Sequence, residues 1–406
     1  MKKTRRPQPL EHQVLMTATL CLLAFGAVMV YSASSSRNLL VTGGNGTAFL
    51  VRYVLFGAVG LAAMHVLSRH GLDAVRRFTP VLVAVSFVLL LGVLVAGVQV
   101  NGARRWLGAA SLQFQPSELM KIALVLYGAQ FLARHPKRIR TFRGMVSPLL
   151  LVVGGAAALV AAEPDLGTAL VICFSAGALL VAAGAPMRYL AYLMGAVALL
   201  IVLFAIAEPY RRARLTSFIN PWADSGGAGF QAVQGQIALG SGGLFGVGLG
   251  QSTQKALYLP EAHTDFILAV IGEELGVAGV LGVLTLYGMI LWAGLRTARK
   301  ATGAYAKLLA AGLTSLILCQ AILNIFVVLG LAPLTGVPLP LISYGQTNVC
   351  VMLAAIGMLL HLAGGGTVTL RAVEGGRGDG ATRGDRGGGD GRSRRARPAG
   401  RRRAAG

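Results

Sequence analysis

The sequence predicts an all-α polytopic membrane protein: about ten transmembrane helices, both termini cytoplasmic, and a large extracytoplasmic loop between helices 7 and 8. Three observations carry this. The 406 residues are 55% hydrophobic and only 13% charged, too apolar for a soluble chain of this length. Uncharged runs of roughly 20 residues, each long enough to cross a bilayer, recur from one end to the other. The basic residues also sort by side once those runs are taken as spans.

The runs are 13–34, 48–67, 80–98, 117–133, 145–162, 166–183, 188–207, 266–294, 305–331 and 345–363. The first is not a cleavable signal peptide, because no small-residue cleavage site follows it and further spans do. With the N-terminus inside, the inner segments and the C-terminal tail hold 28 Lys and Arg against six acidic residues, a balance of +22. The outer half holds nine of each sign and balances to zero. The whole formal charge thus faces the cytoplasm, where anionic lipid attracts it. Topology and membrane lipids account for the pI of 10.9, and no nucleic-acid partner is implied.

The domains follow from composition: a basic N-terminus over 1–12, a transmembrane domain over 13–363, and a tail over 364–406. The tail is Gly, Arg, Asp and Ala without aromatics, which cannot bury enough surface to fold. Cys21, Cys173, Cys319 and Cys350 lie singly in apolar runs and read as small buried hydrophobes. Neither they nor the six histidines have metal-ligand spacing.

The chemistry is expected on the outer face. "NGARRWLGAASLQFQPSELMK" sets Arg104, Arg105 and Trp106 near the surface before a helix for which Ser117 is a plausible N-cap. Glu118 suits the positive end of that helix, and Lys121 shares its face a turn deeper. An interfacial Trp with a local ion pair is the plain alternative; against it, a Lys within a span usually faces a cavity or a partner. "EPDLGT", residues 163–168, is a turn whose Glu163 and Asp165 read equally well as solvated. "EPYRRARLTSFINPW" places Arg211, Arg212 and Arg214 outside, against the trend, and an anionic ligand such as phosphate is the simplest reason. Phe218 and Trp222 are suited to anchor that loop at the interface.

Residues 234–255, "QGQIALGSGGLFGVGLGQSTQK", are Gly-dense, but no βαβ unit surrounds them, so a dinucleotide site is excluded. The glycines suit tight turns and close backbone approach near a bound group. Lys255 follows, and then "LPEAHTDFILAVIGEELG", which puts Glu261, His263, Asp265, Glu273 and Glu274 into an apolar region. Ionised groups there indicate a functional site. Glu261 and Asp265 share a face if helical. Either a helix starts near His263, or 261–274 is a re-entrant piece before a cleaner span from Gly276. The last outer loop, 331–348, brings Ser343, Tyr344, Gln346 and Asn348 either to the same cavity or to helix caps.

Together, "GARRW…FQPSE", "EPDLGT", "RRARLTSFINPW", "GSGGLFGVGLGQSTQK", "LPEAHTDFILAVIGEELG" and "PLTGVPLPLISYG", in this order, resemble the SEDS family of bacterial envelope proteins over residues 14–363. "NPW" and "YLPEAHTDF" point to its cell-division branch rather than its elongation branch. The resemblance implies a peptidoglycan glycosyltransferase that polymerises lipid II at the outer face of the cytoplasmic membrane. It also implies a class B penicillin-binding protein, the crosslinking transpeptidase, as partner, among other membrane proteins of the division site. By match to "HTDF", Asp265 is the family's essential acid, and Trp106 and Glu118 match further functional positions. One segment departs: the family's Gly-Gly-Ser-Ser after Ser-Tyr is Gly345-Gln346-Thr347-Asn348 here.

On this reading Asp265 is the general base, and Arg104, Trp106, Glu118, Lys121, Arg211, Arg214, Lys255, Glu261 and His263 bind substrate. The departing diphosphate needs positive charge, from Arg211, Arg214, Lys255 or a divalent cation (Mg or Mn) held partly by acidic residues. The alternatives are a lipid II flippase and a non-catalytic scaffold that recruits the transpeptidase.

Overall fold

The computed structural model describes residues 8–41, 46–100, 103–109, 112–206, 212, 216–227 and 229–366. Arg211 and Arg214 lie outside this set, as does the predicted tail from residue 367 onward. A helix stands at each of the ten apolar runs: α1 Leu10–Val41, α2 Ala48–Arg69, α3 Asp73–Ala96, α4 Pro116–Arg134, α5 Leu151–Ala162, α6 Leu166–Ala182, α7 Met187–Ile206, α10 Ile267–Lys300, α11 Ala304–Val328 and α12 Gln346–Ala363. Two others, α8 Phe230–Ser241 and α9 Gln254–Leu257, belong to the long loop. By length and composition α1, α2, α3, α10, α11 and α12 can each cross a bilayer, while α5, α6 and α7 are shorter apolar helices.

The bundle has a dry centre and an apolar rim. In the most apolar stretches of α11 and α12, 72% of residues are buried, against 22% in α2 and 28% in α3. α11 packs on α4, α6, α10 and α12, and α4 is buried nearly all round. That explains how α4 carries Glu118 and Lys121, which lipid would reject but protein partners satisfy. On α3 the exposed side is Val81, Val85, Val88, Leu91 and Val95, the mark of a helix that faces lipid chains. The four cysteines are unpaired, but they are not the buried hydrophobes expected: Cys21 is exposed and the others half-buried. A thiol is apolar enough to face lipid as well as protein.

Each end of the bundle is tied by its own contacts. At the end assigned to the cytoplasm, Glu11 of α1 receives Arg296 at 2.6 Å and Lys300 at 2.7 Å from α10. At the other end a three-stranded antiparallel sheet, β1 Val98–Val100, β2 Ala103–Ala109 and β3 Leu112–Phe114, fills the connection between α3 and α4.

α10 is broken, which settles the two alternatives for the 261–276 stretch. It starts at Ile267, not near His263, and Gly276 sits inside it at φ 64°, ψ −162°, a conformation essentially confined to glycine. The Gly-rich segment fills the break. Val247 and Gly248 donate to the carbonyls of Glu273 and Glu274, while Val277 and Ala278 donate to those of Gly243 and Leu244, all at 3.0–3.1 Å. The close backbone approach predicted for these glycines is therefore to another stretch of this chain.

Candidate functional site

The polar residues at the sheet end fall into sealed locks and one open group. The deepest lock lies beside the break in α10. Glu274 accepts from Ser32 of α1 at 2.7 Å and from the Lys255 ammonium, which also donates to Ser32 at 2.9 Å. Glu273 accepts from the Ser252 hydroxyl, from the Thr253 amide at 3.0 Å and from the Thr253 hydroxyl at 3.2 Å. Glu273, Glu274, Ser252 and Lys255 are all buried. Lys255 is thus not a cation waiting for a diphosphate; its charge is spent on Glu274, since a buried ion is tolerable only when paired.

The second lock joins α4 to α11 and α12. Lys121 donates to Glu118 at 2.8 Å and to Gln320 at 2.6 Å, and Asn348 donates to the other Glu118 oxygen at 2.7 Å. Glu118 and Lys121 are each 1% exposed, and they form the local ion pair that is the plain alternative to substrate binding. Ser117 is not the N-cap either. Gln115 takes that place with Pro116 at the first helical position, where its missing N–H costs nothing.

The residues that depart from the family pattern make the third set of ties. Gln346 accepts from the Gln113 amide at 3.2 Å, Thr347 from the Gln115 amide at 3.0 Å, and Asn348 holds Glu118. Together they fasten the first turn of α12 to β3, to Gln115 and to the first turn of α4.

The open group is Asp265. It stands in turns that precede α10, half-buried, and its backbone carbonyl accepts from Asn324 of α11 at 2.7 Å. Thr264 donates to Asp265 at 3.2 Å and lies 3.3 Å from a Glu261 oxygen, so the two carboxylates are neighbours without being helical. Glu261 holds φ 53°, a strained value for a residue with a side chain. His263 is buried rather than presented to a ligand. Its ring lies 4.4 Å from Phe49 and 5.7 Å from Tyr344, and its carbonyl accepts from the Tyr344 amide at 2.9 Å. It fixes the segment that carries Asp265.

Around Asp265 stand the sheet and two turns. Trp106 is half-buried and Arg104 exposed on β2. Arg105 reaches the 163–165 turn, where it donates to the Glu163 carbonyl at 3.3 Å and to the Pro164 carbonyl. Asp165 caps α6 through the Thr168 amide at 3.1 Å and accepts from Gln115 at 3.1 Å, so it is not a solvated turn residue. The Glu163 carboxyl is 1% exposed and has no hydrogen-bond partner among the described residues. Burial, aided by the Asp165 charge and opposed by Arg105, pushes it up to about 8. Carboxyls that hold a proton at neutral pH cluster at functional sites, though structural networks produce them too. Sequence reasoning left Glu163 open and assigned Arg105 no role. Contacts made across the fold, not spacing, bring them forward.

The fold and this site define a predominantly helical multi-pass membrane protein with a half-open carboxylate, Asp265, beside locked charges at one end of its bundle. The chain belongs to the FtsW/RodA/SpoVE family, described as cell cycle proteins, whose model matches residues 13–365. It is 40% identical over 353 residues to stage V sporulation protein E of Bacillus subtilis, covering 86% of this chain and 96% of that one. It is 42% identical over 377 residues to a probable peptidoglycan glycosyltransferase FtsW of Thioalkalivibrio sulfidiphilus, covering 90% and 93%. Among solved structures it is similar to a chain from work on the structural coordination of polymerization and crosslinking by a peptidoglycan synthase complex (TM-score 0.70, 28% identity, 86% and 96% covered). It is also similar to the rod shape determining protein RodA of Thermus thermophilus (TM-score 0.63, 29% identity, 86% and 95% covered).

Proposed function

We propose that this chain is a peptidoglycan glycosyltransferase that polymerises lipid II at the outer face of the cytoplasmic membrane during septal wall synthesis, with Asp265 as general base. One observation carries the assignment of the base. Of the carboxylates in 261–274, Glu273 and Glu274 are consumed by buried partners, while Glu261 and Asp265 are half-buried, and of these two it is Asp265 whose backbone is fastened to the bundle by Asn324. A base must meet a substrate proton directly and return it to solvent. The group must also be rigidly placed, and the Asn324 bond to its carbonyl supplies that.

The reaction then needs little else from the chain. A sugar hydroxyl gives its proton to Asp265 as its oxygen bonds to the anomeric carbon of a second sugar, and the lipid diphosphate leaves. Among the described residues no three His, Cys, Asp or Glu side chains converge as a metal cage. Magnesium needs none when one or two carboxylates and the substrate phosphates hold it, and Asp265 with Glu261 is the pair suited to it. Such an ion would supply positive charge to the diphosphate. Arg211, Arg214 and Arg104 remain substrate-binding candidates on the outer surface. A class B penicillin-binding protein fits as partner, since a similar chain occurs in a synthase complex that couples polymerisation to crosslinking.

A flippase would need a polar path through the bundle, and the described charges within it pair off instead. The test is polymer formation from labelled lipid II in detergent, with the partner's crosslinking blocked. Wild type should make glycan and Asp265→Ala should not. Equal yields from the two would overturn the assignment of the base, and no polymer from a folded wild-type complex would overturn the enzyme.

A further inference from the structure

Arg105 occupies the irregular point of the outer sheet. Val98 pairs with Trp106, and the next residue of β1, Gln99, pairs with Arg104, so Arg105 is the extra residue of β2 with nothing opposite it. A bulge of this kind bends the strand and re-aims a side chain. The guanidinium turns to the 163–165 turn, where Nε and Nη2 donate to the carbonyls of Glu163 and Pro164. These acceptors fix its plane but carry no charge, so they do not cancel its own. The Glu163 carboxyl does not cancel it either while it keeps its proton, up to about pH 8. Asp165, the other acid of the turn, is engaged by Thr168 and Gln115.

The remaining arm, Nη1, faces Gly336. A Cβ built on that glycine would lie 3.8 Å from Arg105 Nη1 and 3.9 Å from Asp265 Oδ2. The cation and the carboxylate therefore flank one space, and the missing side chain leaves it open. Gly336 is exposed and holds φ 70°, where most side chains are disfavoured. The Thr335 hydroxyl beside it is buried without a partner among the described residues.

We propose that Arg105 is the cation that receives the leaving lipid diphosphate, in the space over Gly336 and opposite Asp265. This rests on the glycosyltransferase reading. The acceptor oxygen bonds to the anomeric carbon and its proton passes to Asp265. The bond from that carbon to the diphosphate breaks, and the electron pair departs on the diphosphate oxygen that faces Nη1. A preorganised guanidinium whose Nη1 edge has no acceptor among the described residues suits that oxygen.

The experiment is equilibrium binding of radiolabelled polyprenyl diphosphate to the full-length protein in detergent, with uncharged polyprenol as the second probe. Arg105→Ala should weaken diphosphate binding by about 10–100-fold, the worth of a hydrogen bond to a charged group, and leave polyprenol binding unchanged. Arg105→Lys should recover part of it. Gly336→Asn keeps the Arg105 tether and tolerates a positive φ, yet fills the space, and it should cause a similar loss. Diphosphate binding at wild-type strength in Arg105→Ala or in Gly336→Asn would overturn the proposal. So would an equal loss of polyprenol, which would mark Arg105 as structural. Binding needs no turnover and can be repeated in Asp265→Asn. A protein that makes no glycan yet binds diphosphate through Arg105 keeps this site and loses the enzymatic reading.

Discussion

Replacing Glu163 by Gln should make this protein more stable at alkaline pH and change little at acidic pH. The carboxyl is buried at the turn between α5 and α6, accepts no hydrogen bond in the described structure, and is pushed from its ordinary 4.5 to about 8. An acid whose pKa is raised by folding binds its proton more tightly in the folded state. Stability is then fully present below about pH 4.5, falls as pH rises toward 8, and levels off above it. At about 1.4 kcal/mol per unit, the shift corresponds to about 5 kcal/mol, and solvent screening at this outer turn leaves roughly half of it. Thermal unfolding in detergent at pH 5.5 and 8.5 should show wild type losing about 1.5 kcal/mol between the two, because part of the loss already lies below pH 5.5. Glu163→Gln, which cannot ionise, should remove most of that loss. Parallel pH profiles for the two proteins would refute the reasoning, because the burial would then carry no charging penalty.

Other perturbations separate locks from chemistry. Asp265→Asn should lower lipid II polymerisation by about 10²–10⁴-fold, the usual worth of a general base, in protein that still folds, because Asn keeps the side chain's shape and the Asn324 bond is to the backbone. Lys255→Met should destabilise the fold by about 3–5 kcal/mol by stranding Glu274; the double change with Glu274→Met should recover much of this in a double-mutant cycle. Gly276→Ala would place its Cβ 2.5 Å from the Gly246 amide nitrogen, in a backbone region that costs about 1–3 kcal/mol for other residues; failure to yield folded protein at 37 °C, or a large fall in melting temperature, is expected. Asn348→Ala should cost about 1–3 kcal/mol by leaving one buried Glu118 oxygen without its donor, read by thermal unfolding.

The spans were legible because a bilayer imposes one demand, length of apolar run, that can be read locally. Helix ends were legible to within a residue or two at α4 and α6, where Pro116 and Asp165 mark the start. What spacing could not show was pairing at a distance. Lys255 and Glu274 are close in sequence, but their third member, Ser32, is 223 residues from Lys255. Lys121 meets Gln320 across 199 residues. Both lysines therefore read as available cations. Likewise, strict alternation along a strand puts Arg104 and Trp106 on one side, and only the irregular pairing at Val98 and Gln99 shows that Arg105 is turned toward the turn at 163–165. The Gly-rich segment is legible as a place of close approach, but not what it approaches, the backbone at the break in α10, because glycine reports proximity without naming the neighbour.

The placement of charge follows from what each group must do. A carboxylate buried to fix helices gains from losing water, provided its partners are complete; Glu118, Glu273 and Glu274 meet this with two or more donors each. A carboxylate that takes a proton in every turnover cannot be sealed in that way, since complete partners would hold its charge too firmly and exclude the substrate hydroxyl. Asp265 resolves the conflict by being held through its backbone. The sealed locks then set its position indirectly. The Glu274–Lys255 pair fixes the loop before it, the helix that follows it is broken at Gly276, and Asn324 holds the Asp265 carbonyl just ahead of that helix. Weakening a lock should therefore lower polymerisation in proportion to lost folded protein, whereas changing Asp265 should lower it in fully folded protein.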